Sequence, residues 1–149
     1  MQEFTRRLHQ MLWVEQTLAD ELLPLVRERV HAVGLKYGVE RHQGETKQHV
    51  MAVRTCLNLI GERQDGIESP ALLGLREELG ESDLELADFL AKVEHLEIAA
   101  YTWLRSAANA LGEEDVGMRL TEVVEQEQYA LELVQKETAK LLAENVANA

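Results

Sequence analysis

The stretch SDLELADFLAKVEHLEIAAYTWLRSAANALG, residues 82–112, decides the fold. Ser82 followed three residues later by Glu85 is a capping box, in which each side chain reaches the other residue's backbone N–H at a helix start. From there Leu86, Leu90, Val93, Ala100, Leu104, Ala108 and Leu111 recur at helical spacing, and Gly112 stands where a left-handed C′ residue ends a helix. A helix of this length with one apolar stripe is stable only when that stripe is buried against other helices.

The same pattern extends outward in both directions. A helix from about Glu114 to Asn145 carries Leu120, Val123, Ala130, Val134 and Leu141 on one face. Near the N-terminus, Leu8, Leu12, Ala19, Leu22 and Val26 form a stripe, and Pro24 within it predicts a kink or local break. Another helix carries Val53, Cys56 and Ile60 and stops near Gly61. The connection RQDGIESPALLGLREELGESD, residues 63–83, predicts a short helix with Ser69 as N-cap, Pro70 in its first turn and Gly80 at its end. The reading is all-α: one domain over residues 1–149, an antiparallel four-helix bundle with a short extra helix in the central connection. Its helical hairpins span about 4–62 and 82–145, and the linker spans 63–81.

Composition agrees. A chain of 149 residues buries roughly 70% of its unfolded surface and needs no disulfide framework. Its 27 acidic against 15 basic residues, a net charge of −12, would repel nucleic-acid phosphates and anionic lipid, so neither is an expected partner. The single Cys56 sits in the apolar run VMAVRTCLNLI and is expected to be a buried small residue. No stretch approaches a membrane span, and MQEFTRRLHQ has no hydrophobic signal core, so the cytoplasm is the expected location.

Carboxylates interrupt the stripes. Glu15 falls between Leu12 and Ala19, Glu97 between Val93 and Ala100, and Glu127 between Val123 and Ala130. In the second helix His42, Glu45 and His49 share the face of Val53 and Cys56. Glu45 follows Glu15 by 30 residues and Glu127 follows Glu97 by the same 30, so the two hairpins read as copies of one unit. Level glutamates require the first turn near residues 29–33, despite the local stop signal at Gly34. The carboxyl groups of Glu15, Glu45, Glu97 and Glu127 are then expected in one core layer beside His49. Such a gathering demands neutralisation, either by protons or by cations. Helical bundles build di-iron and di-manganese centres from glutamates and histidines of this kind, and carboxylate and imidazole suit iron, manganese or zinc.

HQGETKQH (42–49), KVEHLEIAAYTWLR (92–105) and the Leu23-Pro24 step resemble the ferritin-like proteins of the YciF/YciE type. That family's pattern is close to H-x-x-E-T-x-x-H in the second helix and V-E-H-x-E-I-A-A-Y in the third. The resemblance implies a ferritin-like bundle, often a homodimer, linked in bacteria with stress responses. It also implies a divalent-metal site with Glu15, Glu45, His49, Glu97 and Glu127 as ligands. Glu94 and His42 are second choices. Trp13 and Trp103 are the candidates for an interface between copies. The chain departs from the family pattern in the fourth helix, where Ala130 and Leu131 stand at the two spacings that would supply a further ligand.

Two functions follow. One is a metal-binding protein handling iron or peroxide. The other is a non-enzymatic helical stress or assembly protein whose core glutamates carry protons. Nucleophilic hydrolases and phosphate-binding loops find no motif here.

Overall fold

The computed structural model describes residues 1–148. Among them the secondary structure is helical throughout, with no strand. The first long rod comprises α1 (Gln2–Thr17), a π-helical turn (Leu18–Leu22) and α2 (Leu23–Arg29). α3 is Val33–Leu59, α4 is the short Pro70–Arg76, α5 is Asp83–Ala110 and α6 is Glu114–Ala147.

Pro24 produces the π turn and not a break. Its ring would strike the carbonyl of the preceding helical turn, so the helix widens and the Leu23 N–H bonds Leu18 O, five residues back. Pro24 has no N–H to offer, which leaves the Ala19 carbonyl without a helical donor. The Gln43 amide on α3 donates to it at 3.4 Å.

The first reversal falls at Val30–Ala32, and Gly34 lies inside α3. The turn is pinned from a distance: Asp83 accepts the His31 N–H at 2.8 Å and the Ala32 N–H at 2.9 Å. Arg29 donates to Gly80 O at 2.9 Å beside them. The capping box at Ser82 and Glu85 forms as the sequence predicts, and Gly61 and Gly112 both take positive φ past their helices. Ser69 caps α4, which ends at Arg76, about one turn before Gly80.

α1 packs on α3 and α5, and α6 packs on the same two helices. The linker after α3 returns along α1, with Ile67 N–H bonding His9 O at 3.0 Å and Gly66 lying against Trp13. It delivers α5 to the end of the bundle where the first turn lies. Every neighbouring pair is therefore antiparallel, and one long crossover joins the two hairpins.

The core runs the length of this bundle, from Phe4, Leu57 and Leu120 toward one end to Val26, Leu35 and Leu86 near the first turn. Cys56 is buried in it, and burial pushes its thiol up to about 11. Gly44, by contrast, is exposed on α3, and a methyl group there would meet nothing within 4 Å. Gly44→Ala is expected to stabilise the fold by about 0.5–1 kcal/mol, because alanine loses less backbone entropy in a helix. A urea midpoint that stays put or falls would contradict this.

Candidate metal centre

On α3 the buried positions step by four and three along Leu35, Val39, His42, Thr46, His49, Val53 and Cys56. On α5 they run Ala87, Leu90, Glu94, Glu97, Tyr101, Leu104 and Ala108. Glu15 lies on the stripe of α1 and Glu127 on that of α6. Four helix faces thus deliver six ionisable side chains to one layer: Glu15, His42, His49, Glu94, Glu97 and Glu127. The four glutamates are at most 1% exposed, His49 1% and His42 7%.

Their atoms fall into two overlapping groups. His42, Glu94, Glu97 and Glu127 offer one ligand atom each, all within 4.8 Å of one another, and so do Glu15, His49 and Glu127. Glu127 belongs to both. His49 Nδ1 lies 2.7 Å from Glu127 Oε1 and 3.9 Å from Glu15 Oε2, and His42 Nε2 lies 2.6 Å from Glu94 Oε1. These close approaches lack hydrogen-bond angles. Nine side-chain atoms of the six residues are buried without a hydrogen-bond partner, including both oxygens of Glu97 and of Glu127. Native proteins rarely leave buried polar atoms in that condition.

Two further residues hold the group in place. The Tyr101 hydroxyl donates to Glu15 Oε1 at 2.8 Å. His49 Nε2 meets Gln126 Oε1 at 2.6 Å, which turns the opposite ring nitrogen toward Glu127. Sequence reasoning missed both, although Tyr101 continues the stripe one turn after Glu97.

Burial disfavours every charge here. It raises Glu15, and it raises Glu94 and Glu97 well above the ordinary carboxylate range, with the neighbouring carboxylates adding to the last two. Burial also opposes a charged His49, yet the contact with Glu127 and the charge of Glu15 outweigh it and lift the imidazole to about 9. Glu127 is pushed up by burial, but contacts with Glu94 and His49 prevail and hold it below the ordinary range. The cluster without metal therefore favours an imidazolium–carboxylate pair among protonated acids.

Glu45 stands apart from the layer. Its side chain is 19% exposed and accepts from Arg41 Nε at 3.1 Å. The position it was expected to fill belongs to Thr46, fully buried, whose hydroxyl bonds His42 O at 2.8 Å. Glu45 lies one residue off the buried stripe of α3, and the π turn shifts the level between the two rods by the same one residue. Glu97 lies 13 residues before the end of α5 and Glu127 13 after the start of α6, but Glu15 lies 14 before the end of α2. The π turn absorbs the extra residue, so the level partner of Glu15 is 13 after Val33, at Thr46. His42, one turn earlier on the same stripe, enters the layer with His49.

A four-helix bundle with one long crossover, whose core gathers four glutamates and two histidines, is a ferritin-like carboxylate bundle. The chain belongs to the family described as Domain of unknown function (DUF892), whose model matches residues 1–147. Among solved structures it is similar to the Rhodopseudomonas palustris protein YcfI, at 26% identity over 89% of this chain and 90% of that one, with a TM-score of 0.83. It is also similar to the E. coli stress protein YciF, at 22% identity, 95% and 96% coverage and a TM-score of 0.89. Ferritin-like, diiron-carboxylate proteins from Bacillus anthracis share the fold at 15% identity, 92% and 96% coverage and a TM-score of 0.78. No curated protein sequence matches the chain.

Proposed function

We propose that this protein binds a pair of divalent metal ions, with Glu15, His42, His49, Glu94, Glu97 and Glu127 as ligands and Glu127 shared between the two. The observation that carries this reading is the set of nine buried carboxylate and imidazole atoms with no hydrogen-bond partner. Four glutamates and two histidines are the same inventory as the usual di-iron and di-manganese centres of helical bundles, distributed differently over the helices. α6 lacks its histidine, with Ala130 and Leu131 at those positions, and the second histidine comes from α3 as His42. Iron or manganese is the expected metal, and zinc suits the same donors. When bound, such ions supply Lewis-acid and redox chemistry toward a small oxidant. The protein's own residues hold Glu15 through the Tyr101 hydroxyl, orient His49 through Gln126, and exclude bulk water from the layer. Binding of the ions would displace the protons that the buried ligands otherwise keep.

The competing reading, a metal-free helical stress or assembly protein, has its own support. Glu15, Glu94 and Glu97 are already raised and can remain neutral on protons alone. Elemental analysis of protein purified without a metal-affinity tag separates the two. About two ions per chain are expected, and Glu45→Ala is expected to keep that content because Glu45 lies outside the layer. A content near zero would favour the proton-neutralised bundle.

A role in a bacterial stress response draws support from the named stress protein among the structural neighbours. A cytoplasmic location and a dimer complete the proposal. No helix of the described residues is long and apolar enough to cross a membrane. Trp103 remains the interface candidate: it is 36% exposed and lies under the Arg7 guanidinium at 3.9 Å. Trp13 is taken up by the linker at Gly66. The net charge of −12 argues against nucleic acid as a partner.

A further inference from the structure

A groove between α3 and α6 ends on the metal layer. Its volume is about 110 Å³, and its walls are chiefly Leu35, Val39, Leu90, Ala130, Leu133 and Val134. At its base stands His42, 7% exposed, with neither ring nitrogen in a hydrogen bond. The rim carboxylates are already neutralised, Glu45 by Arg41 at 3.1 Å and Glu137 by Lys140 at 3.2 Å. Arg41 itself lies over the Tyr129 ring at 4.9 Å. This mouth therefore has little to attract a cation. A second hollow of about 140 Å³, at the His49 end, has a more polar lining that includes Gln48, Arg119, Glu122 and Gln126.

Gly38 keeps the apolar groove open. A methyl group there would meet no atom within 4 Å, so close packing does not require glycine. A glycine inside a helix nevertheless destabilises it relative to alanine. The groove is far smaller than the roughly 300 Å³ of the smallest drug-sized sites. Although it opens to solvent at its rim, its volume is of the order of the engineered apolar cavities of about 150 Å³ that take up xenon or benzene.

We propose that this groove is a binding site for a small apolar gas, dioxygen, which it holds against the His42 edge of the metal layer. Its purpose rests on the metal-centre reading; its occupancy does not. An apolar-walled groove with room for only a few heavy atoms, and with the carboxylates at its rim paired to Arg41 and Lys140, favours a neutral diatomic over peroxide or an ion. The imidazole at its base is the point where the occupant meets the centre.

Xenon-pressurised crystals test the site directly. One xenon peak is expected between Gly38, Ala130 and His42, and it should vanish in Gly38→Leu. Ala130→Leu fills the same space from α6 if the first variant folds poorly. With the protein loaded with ferrous ion, both variants should retain wild-type metal content but react at least tenfold more slowly with dissolved dioxygen, while the rate with hydrogen peroxide is unchanged. Metal bound but no xenon in the groove, or an unchanged dioxygen rate in a variant that has lost the xenon site, overturns this proposal and spares the metal centre. Xenon bound but no metal taken up keeps the gas site and overturns the metal centre.

Discussion

Replacing Glu127 by glutamine is expected to empty both halves of the metal centre at once. Glu127 is the residue common to the two groups of ligand atoms, and both its oxygens are buried without a hydrogen-bond partner. Glutamine keeps the length and shape of the side chain, so the packing of α6 against α3 and α5 is retained. It removes the negative charge that the ions share, and its amide nitrogen is a donor where a ligand must be an acceptor. Loss of an outer partner of a ligand typically costs 10–100-fold in metal affinity, so loss of a shared ligand is expected to cost at least about 100-fold. Metal content after exhaustive dialysis, with circular dichroism to verify the helices, provides the measurement. Wild-type content in Glu127→Gln would remove Glu127 from the centre. Loss of only half the metal would show that the two groups do not share it.

Stability of the metal-free protein is expected to fall as pH rises from about 5 to about 9, against the usual behaviour of an acidic protein approaching neutrality. Glu15, Glu94 and Glu97 have folded values raised above the 4.5 of an unperturbed glutamate. What they contribute is complete below about 4.5 and is lost as pH climbs through those raised values. His49 acts in the same sense from a higher starting point. Its value rises from 6.5 to about 9, so its contribution is complete below 6.5 and lost by about 9. Glu127, held low, behaves oppositely, and its contribution is lost only on acidification below 4.5. Across the window the folded chain binds more protons than the unfolded one. His49 alone then accounts for about 3 kcal/mol between pH 6.5 and 9, a large share of the 5–15 kcal/mol that holds a typical domain together. Urea midpoints at pH 5, 7 and 9 in the presence of a chelator measure the slope. A saturating divalent ion should flatten or reverse it, because metal binding takes the ligands in their deprotonated form. Stability that is level or rising between pH 5 and 9 without metal would mean that the cluster does not hold its protons.

The rarity of buried glutamate made Glu15, Glu97 and Glu127 visible from sequence, since each occupies an apolar position in a strong stripe. The second helix misled for a specific reason. His42, Glu45 and His49 are mutually spaced by three and four, so all three satisfy helical periodicity. Carrying the four-and-three alternation backward from Val53 selects His49, Thr46 and His42 and passes Glu45 by one residue. The 30-residue repeat chose Glu45 because it assumed two hairpins of equal geometry, and the π turn makes them unequal. Glu94, by contrast, was legible as a neighbour of Glu97 on the same face.

By itself the sequence determined the helices, their capped ends, their buried stripes and the presence of carboxylates on those stripes. All of these are local: propensity, capping and a 3.6-residue period act within a few turns of chain. The tertiary structure decided which imidazoles meet those carboxylates, and where the first hairpin turns. Asp83, more than 50 residues away, ties the turn at His31 and Ala32, which no local signal at Gly34 reveals. The π turn at Leu18–Leu22 adds one residue to the first rod, and one residue is about 100° of helix rotation. Glu45 misses the core because it lies one residue, and so that angle, off the stripe of α3. The π turn in the neighbouring rod sets Thr46 of that stripe level with Glu15, a register between helices that no single helix carries.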